Sequence, residues 1–321
     1  MKQGRMILAV LLLLFAAGCS AEKEQSKKTA DEPSSKTSDE ADYTIIEASA
    51  QQIEHIQGIG YPGNDTALYL SSSDGLKFYK DGTWHEATSL NHDYMGFQAV
   101  KDGFIVSGQP DKNSVIKNPL GIVKSTDKGA SFKDLAFSGT SSFPFLAAGY
   151  DTNIIYMINQ EKSEELEAGV YRSQDAGKTW EPVSLNGLEG DTLGMIAAHP
   201  TDPEIMAMST RSGIFFSEDR GENVKLVSDP IMATALTFTE NSLYYAYADQ
   251  EKVQMSKIDL ETMENSHIKI PFLSYDNPIT YIAADNKSSG TLAVSTYLKD
   301  LYESADSGEN WQLLSKNGRI E

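Results

Sequence analysis

Four stretches of the chain share one spelling: KSTDKGASF from Lys124, RSQDAGKTW from Arg172, FSEDRGENV from Phe216 and ESADSGENW from Glu303. Each reads Ser-x-Asp-x-Gly-x-x and then an aromatic residue, with Val224 in its place in the third copy. The serines are Ser125, Ser173, Ser217 and Ser304, so the gaps are 48, 44 and 87. The last gap is two periods, which predicts a worn copy near residue 260, where Ser256 and Asp259 stand. Counting one period back from Ser125 predicts another unit near residue 77, with Trp84 at the aromatic position. Six units of this kind fill roughly 275 residues, and a fixed period of this size marks a repeat architecture.

Within each unit the hydrophobic pattern has the same layout. In the fourth it reads LGMIAAHP, EIMAMST, GIFFSED and NVKLVS. Alternation with β-branched and aromatic enrichment favours strands, and after residue 50 the chain shows no helical period. Four short strands per unit of about 45 residues predict an all-β chain folded as a β-propeller of about six four-stranded blades. The count rises to seven if YTIIEAS (43–49) hides a degenerate repeat; otherwise that segment adds a strand to the last blade or to an exposed edge.

The repeated stretch makes sense as a turn. The Asp carboxylate and Ser hydroxyl can accept backbone N–H groups that a tight turn leaves unpaired. Gly129, Gly177, Gly221 and Gly308 can supply positive φ, and Phe132, Trp180 and Trp311 can pack between blades. Asp127, Asp175, Asp219 and Asp306 are thereby expected to be structural rather than catalytic. The pattern resembles the Asp-box, or BNR repeat, of sialidase-like and sortilin-like propellers. The resemblance implies that the boxes lie on the outer rim, away from the central funnel where propellers bind ligands.

Residues 53–145 are similar to a narrower group, exported bacterial propellers often labelled BNR-repeat or glycosyl hydrolase proteins. The stretches that carry this are EHIQGIGY (54–61), LYLSSSDGLKFY (68–79), HDYMGF (92–97), FIVSGQPD (104–111) and NPLGIVKSTDKG (118–129). The group's pattern implies recurring histidines. This chain keeps His55 and His92, and has Gln57, Ser73, Gln109 and SFPF (142–145) at the other places. Clustered imidazoles suit zinc, copper or nickel; two make a poor set, so neither a metal nor any other cofactor is expected.

The hydrolase label can be tested on residue types. A sialidase-like site needs three arginines to grip a sugar carboxylate. Past the N-terminal segment the arginines are Arg172, Arg211, Arg220 and Arg319, and all but Arg211 lie beside a box, inside one or in the tail. Other glycosidases need two carboxylates across the bond; Asp65, Asp74, Asp93, Asp191 and Asp276 are available, and no pair stands out. No Gly-x-Ser-x-Gly elbow and no Walker-type glycine loop occurs.

The N-terminus bears on location. MKQGRMILAVLLLLFAAGCS has a basic start, an apolar run and small residues, the layout of a secretory signal. FAAGC resembles a bacterial lipobox, which makes residues 1–18 a signal peptide and Cys19, the chain's one cysteine, the lipidated residue. Residues 19–42 lack aromatic and large aliphatic side chains and are expected to be a disordered tether. Residues 43–321 would then be an extracytoplasmic propeller, held to the membrane by its lipid. A formal charge of −19 repels phosphate backbones, so nucleic acid is not an expected partner.

The expected function is a non-catalytic binding or assembly role for a protein, glycan or small polar ligand on the funnel face. The alternative is an extracytoplasmic carbohydrate-active enzyme. The binding residues expected there are His55, His92, Asp93, Tyr94, Gln109, Tyr275 and Asp276. The bland reading of His92 and Asp93 is that they pin a loop. Long insertions at 108–121 and 159–169 mark the same face.

Overall fold

The computed structural model describes residues 43–112, 114–188, 193–249 and 252–321. The expected signal, Cys19 and tether, and Asp191, lie outside the described residues. Among the described residues the strands form six antiparallel sheets of four or five strands, a two-stranded pairing and no helix.

Blade one is built from Ile56–Gly60, Leu68–Ser72, Gly75–Lys80 and Thr83–Ala87. Blade two follows with Asp93–Val100, Gly103–Gln109, Ile122–Ser125 and Lys133–Ala136. Blade three uses Leu146–Ala148, Ile155–Asn159, Gly169–Ser173 and Glu181–Pro182. Blade four uses Leu193–Ala198, Met206–Thr210, Gly213–Ser217 and Lys225–Leu226. Blade five uses Ala233–Phe238, Ser242–Asp249, Lys252–Asp259 and Asn265–Ile268. Blade six uses Ile279–Ala284, Leu292–Thr296, Leu301–Ser304 and Gln312–Ser315. The first strands neighbour one another in a ring, with Ile279–Ala284 beside Ile56–Gly60, so the chain forms a six-bladed β-propeller.

The core follows from this arrangement. A middle strand of a blade is covered on both faces by the neighbouring blades, so both faces are buried, apolar for most of its length and with hydrogen-bonding Ser, Thr or Asn at its funnel end. Leu68–Ser72, Ile155–Asn159, Met206–Thr210 and Leu292–Thr296 are buried throughout. Six hydrophobic clusters result, one at each blade junction. The junction of blades six and one joins Leu68, Leu70 and Trp84 to Ala283, Ala293 and Leu301.

Two N-terminal strands complete the ring. Gln51–Gln52 pairs with Arg319–Ile320 at the C-terminal end. Ile45–Glu47 pairs with Thr83–Ala87 as a fifth strand on the outer edge of blade one. Segment 43–49 therefore covers an edge and contains no seventh unit. His85, which stands opposite Glu47, is half-buried.

The two worn units differ from the expected pattern. In the four clear copies the box serine ends the third strand. In blade five that place belongs to Asp259, whose carboxylate accepts the N–H groups of Glu261 and Thr262 at 3.1 and 2.9 Å. Ser256 lies inside the strand, where its hydroxyl bonds His267 Nδ1 at 3.1 Å. It is no box remnant. Blade one replaces the box with a two-residue hairpin at Asp81 and Gly82, with φ of 51° and 84°, the positive pair that matches strand twist. Trp84 is nonetheless buried, and its Nε1 donates to the Leu314 carbonyl at 3.2 Å.

Candidate functional site

Alternating strand direction sorts the loops onto two ends. Loops that lead into a first strand, and those joining second to third strands, lie at the funnel end. The boxes join third to fourth strands and belong to the other end. Each box is one hydrogen-bonded unit. The Ser173 hydroxyl accepts the Gly177 N–H at 2.8 Å and donates to Asp175 at 2.9 Å. Asp175 also accepts the backbone N–H and hydroxyl of Thr179, at 2.9 and 2.8 Å. Ser125, Asp127 and Gly129 repeat this with Ser131; Ser217, Asp219 and Gly221 with Asn223; Ser304, Asp306 and Gly308 with Asn310. The bonds from Thr179 and Asn310 hold the Asp175 and Asp306 carboxyls down to about 2. The box also docks blades: a Cβ on Gly177 would meet Leu135 Cβ of blade two at 3.0 Å. Trp311 Nε1 donates to the Lys269 carbonyl of blade five at 2.7 Å, and Trp180 packs on Phe137, with centroids 5.8 Å apart.

The funnel-end residues expected to bind fall into three groups. His92 and Tyr94 are 0% and 1% exposed. His92 Nδ1 accepts the Asp111 N–H at 2.9 Å, and its ring packs against Tyr94 and Phe132. Burial pushes the imidazole pKa down to about 4, so the ring is neutral at pH 7. The Tyr94 hydroxyl donates to the Leu90 carbonyl at 3.0 Å. Both side chains pin the loop from inside, the bland reading of His92. Asp93 and Gln109 form a second group, directly opposite one another across two strands. Gln109 reaches Ser142 at 3.4 Å, while Asp93 Oδ1 is buried without a partner among the described residues. His55, Tyr275 and Asp276 are exposed, the last two on the loop between blades five and six.

That loop belongs to a larger exposed group, of which Tyr275 was expected from the sequence and Phe272, Tyr297 and Leu298 were not. Phe272 is 84% exposed, Tyr275 55%, Tyr297 67% and Leu298 42%. They occupy two funnel-end loops, 269–278 and 297–300, which are tied to one another. Tyr297 N–H donates to the Pro278 carbonyl and Leu298 N–H to Asn277 Oδ1, both at 2.8 Å. Asp300, 0% exposed, accepts from Asn277 at 3.2 Å, from Lys316 at 2.8 Å and from the Asn317 N–H at 2.8 Å. The aromatic side chains thus project from a braced backbone. The legible signal was an aromatic in STYLKD (295–300), a loop too short to draw attention as an insertion.

The inner strands shape the funnel itself. Five of the six shift register near their funnel ends, between Ile56 and Gly58, Met95 and Gln98, Leu193 and Ile196, Ala233 and Ala235, and Ile279 and Tyr281. Such bulges re-aim side chains at barrel rims. Buried second-strand serines hold some of them: Ser209 Oγ accepts the Met195 N–H at 2.8 Å. Deeper in, small residues such as Gly60, Ala99, Ala148 and Ala198 line a cavity of about 90 Å³. Ligand sites usually run to about 300–1,000 Å³, so the face, not the channel, offers the room.

The described carboxylates suggested for glycoside chemistry divide likewise. Asp65 lies between first and second strands, at the box end. It takes the Thr66 N–H at 2.7 Å, the Tyr69 hydroxyl at 2.9 Å and Lys128 at 2.6 Å. Burial works to raise its pKa, and these contacts outweigh burial and hold it below the ordinary value. Asp74 accepts the Ser72 hydroxyl in a turn at 2.6 Å. Asp276 accepts the Ser274 hydroxyl. Asp93 alone of these four has a carboxylate oxygen both buried and unpartnered among the described residues.

A family model described as sortilin, neurotensin receptor 3, matches residues 121–277, from the third strand of blade two to the loop before blade six. Over that stretch the chain is similar to sortilin-type propellers. Solved structures agree on the fold. The GH74 xyloglucanase of Xanthomonas campestris superposes with a TM-score of 0.55 at 16% identity, covering 85% of this chain and 47% of that one. The Niastella koreensis GH74 enzyme gives 0.54 at 15%, covering 84% and 47%. An oligogalacturonate lyase in complex with manganese gives 0.53 at 11%, covering 86% of each. The propeller thus spans about half the length of the two GH74 chains. None of the curated proteins matches its sequence.

Proposed function

We propose that this propeller is an extracytoplasmic, lipid-anchored binding protein that holds a protein partner by its funnel-end face and performs no chemistry. The observation that carries this is the braced set of Phe272, Tyr275, Tyr297 and Leu298. Exposed apolar patches rimmed by polar groups mark interaction surfaces, and aromatic anchors dominate protein interfaces. Pre-ordered loops lower the entropy cost of binding.

A photo-crosslinking amino acid placed at Tyr275 or Tyr297 in the full lipoprotein, in its own cell, tests this. The expected outcome is one discrete adduct from either position. Leu226, an exposed apolar residue on an outer strand, should give none. Equal adducts from all three positions would mean nonspecific contact, and no adduct would remove the reading. Labelled fatty acid should enter the native chain and not the Cys19→Ser variant.

Asp93 favours a second reading. Its unpartnered oxygen beside Gln109 and Ser142 suits a polar small ligand such as a glycan, in keeping with the xyloglucanase likeness. Glycan binding or turnover lost on Asp93→Asn would move the assignment there.

A further inference from the structure

The chain holds two Asn–Gly pairs, Asn186–Gly187 and Asn317–Gly318, and the fold treats them in opposite ways. Asparagine is chemically labile, most of all before glycine, whose amide nitrogen can attack the asparagine Cγ. With no Cβ, glycine leaves that approach open. The attack needs a glycine N–H that is not engaged and a backbone free to bend toward the side chain.

Asn317–Gly318 meets neither condition. The pair forms the turn at the ring seam, with φ of 52° and 76°. Gly318 is buried; its N–H donates to the Lys299 carbonyl at 2.7 Å, and its carbonyl accepts the Ile53 N–H at 2.9 Å. The Asn317 N–H is held by Asp300 at 2.8 Å, and its carbonyl accepts from Gln52 at 2.6 Å.

Asn186–Gly187 differs at the reacting atoms. Both residues are exposed. They form the tip of a turn that the Leu188 N–H closes onto the Leu185 carbonyl at 3.0 Å. Neither the Gly187 N–H nor the Asn186 side chain has a hydrogen bond among the described residues. Asn186 also occupies a joint. It follows the outer strand of blade three, its N–H donates to the Glu222 carbonyl at 2.9 Å, and its own carbonyl accepts the Val224 N–H at 2.8 Å. Glu222 and Val224 follow Gly221 in the box of blade four, so these two bonds tie adjacent blades.

We infer that Asn186 is a deamidation site of the folded protein, and that its isoaspartyl product loosens the joint between blades three and four. The Gly187 nitrogen bonds to Asn186 Cγ, the Cγ–Nδ2 bond breaks, and Nδ2 leaves as ammonia with the proton that Gly187 gives up. Water then opens the succinimide, to aspartate or, by attack at the main-chain carbonyl, to isoaspartate. The isoaspartyl chain runs on through Cβ. It lengthens the turn between Leu185 and Leu188 by one carbon and takes the carbonyl that Val224 binds out of the main chain.

Peptide mapping of the purified full chain, incubated in mildly alkaline buffer with and without urea, is the test. Relative to its own rate in urea, Asn186 in the folded protein should deamidate about tenfold or more faster than Asn317, whose bonded glycine N–H must first open. The Asn186→Gln variant should lose this product and keep its melting temperature through the incubation, while that of the wild type should fall as isoaspartate accumulates. Equal relative rates at the two pairs, a faster reaction at Asn317, or no reaction at Asn186 in the folded protein would each overturn the site. An unchanged melting temperature of the converted wild type would overturn the loosening.

Discussion

At the residue scale, one buried side chain explains more than its position suggested. HDYMGF places His92 beside two aromatics, and the fold encloses it completely. Burial lowers its pKa to about 4 against about 6.5 in an unfolded chain. Between those values the unfolded state binds the proton and the folded state does not, so stability falls as pH drops from about 6.5 to 4. The loss should be on the order of 3 kcal/mol, and urea midpoints for wild type and His92→Gln should diverge in slope across this window. The box carboxylates act lower down. Asp175 and Asp306 have depressed values, so their contribution is full above about pH 4 and is lost as pH falls through about 2. Ser173→Ala tests the box directly. It strands the buried Gly177 N–H, and denaturation should show a loss of about 1–3 kcal/mol. The box was legible because each partner lies within six residues of the serine. Asp93 and Gln109 could be singled out, but their pairing could not, because it depends on strand register.

At the element scale, the N-terminal strand behaves as a strap. Thr44 exchanges backbone and side-chain bonds with Thr88, Ile45–Glu47 extends blade one, and the Tyr43 hydroxyl donates to the Lys128 carbonyl inside the box of blade two. Tyr43→Phe should cost about 1 kcal/mol, and a chain lacking residues 43–48 should cost more. Hydrogen exchange should then show faster opening of Thr83–Ala87, with the inner strands unchanged. Sequence reading offered either of two edges for this strand. Nothing local chooses between them, since YTIIEAS would satisfy either; the choice follows from where the closing pair at Gln51–Gln52 delivers the chain. The misplaced box remnant in blade five has the same origin. Spacing alone put Ser256 at the turn, while the longer hairpin of that blade moved the turn to Asp259.

At the scale of the whole molecule, the ring has one seam, where Arg319–Ile320 meets Gln51–Gln52. Ile320 is 1% exposed in the cluster between blades six and one. Ile320→Ser should lower stability by about 2–4 kcal/mol, seen as an earlier denaturation midpoint. Asp300→Ala should lower it by about 2–3 kcal/mol by stranding Asn277 and the Asn317 N–H, and should also abolish crosslinking from Tyr275 and Tyr297, because it frees the loops that present them. The sequence by itself determined the repeat, the strand pattern and the turn chemistry, all of which rest on interactions within one period of the chain. The tertiary structure decided that six blades and not seven make the ring, how the ring closes, and that His92 is buried while Phe272 and Tyr297 project. Those facts depend on which residues of different blades meet, and contact between blades leaves no period in the sequence that carries it.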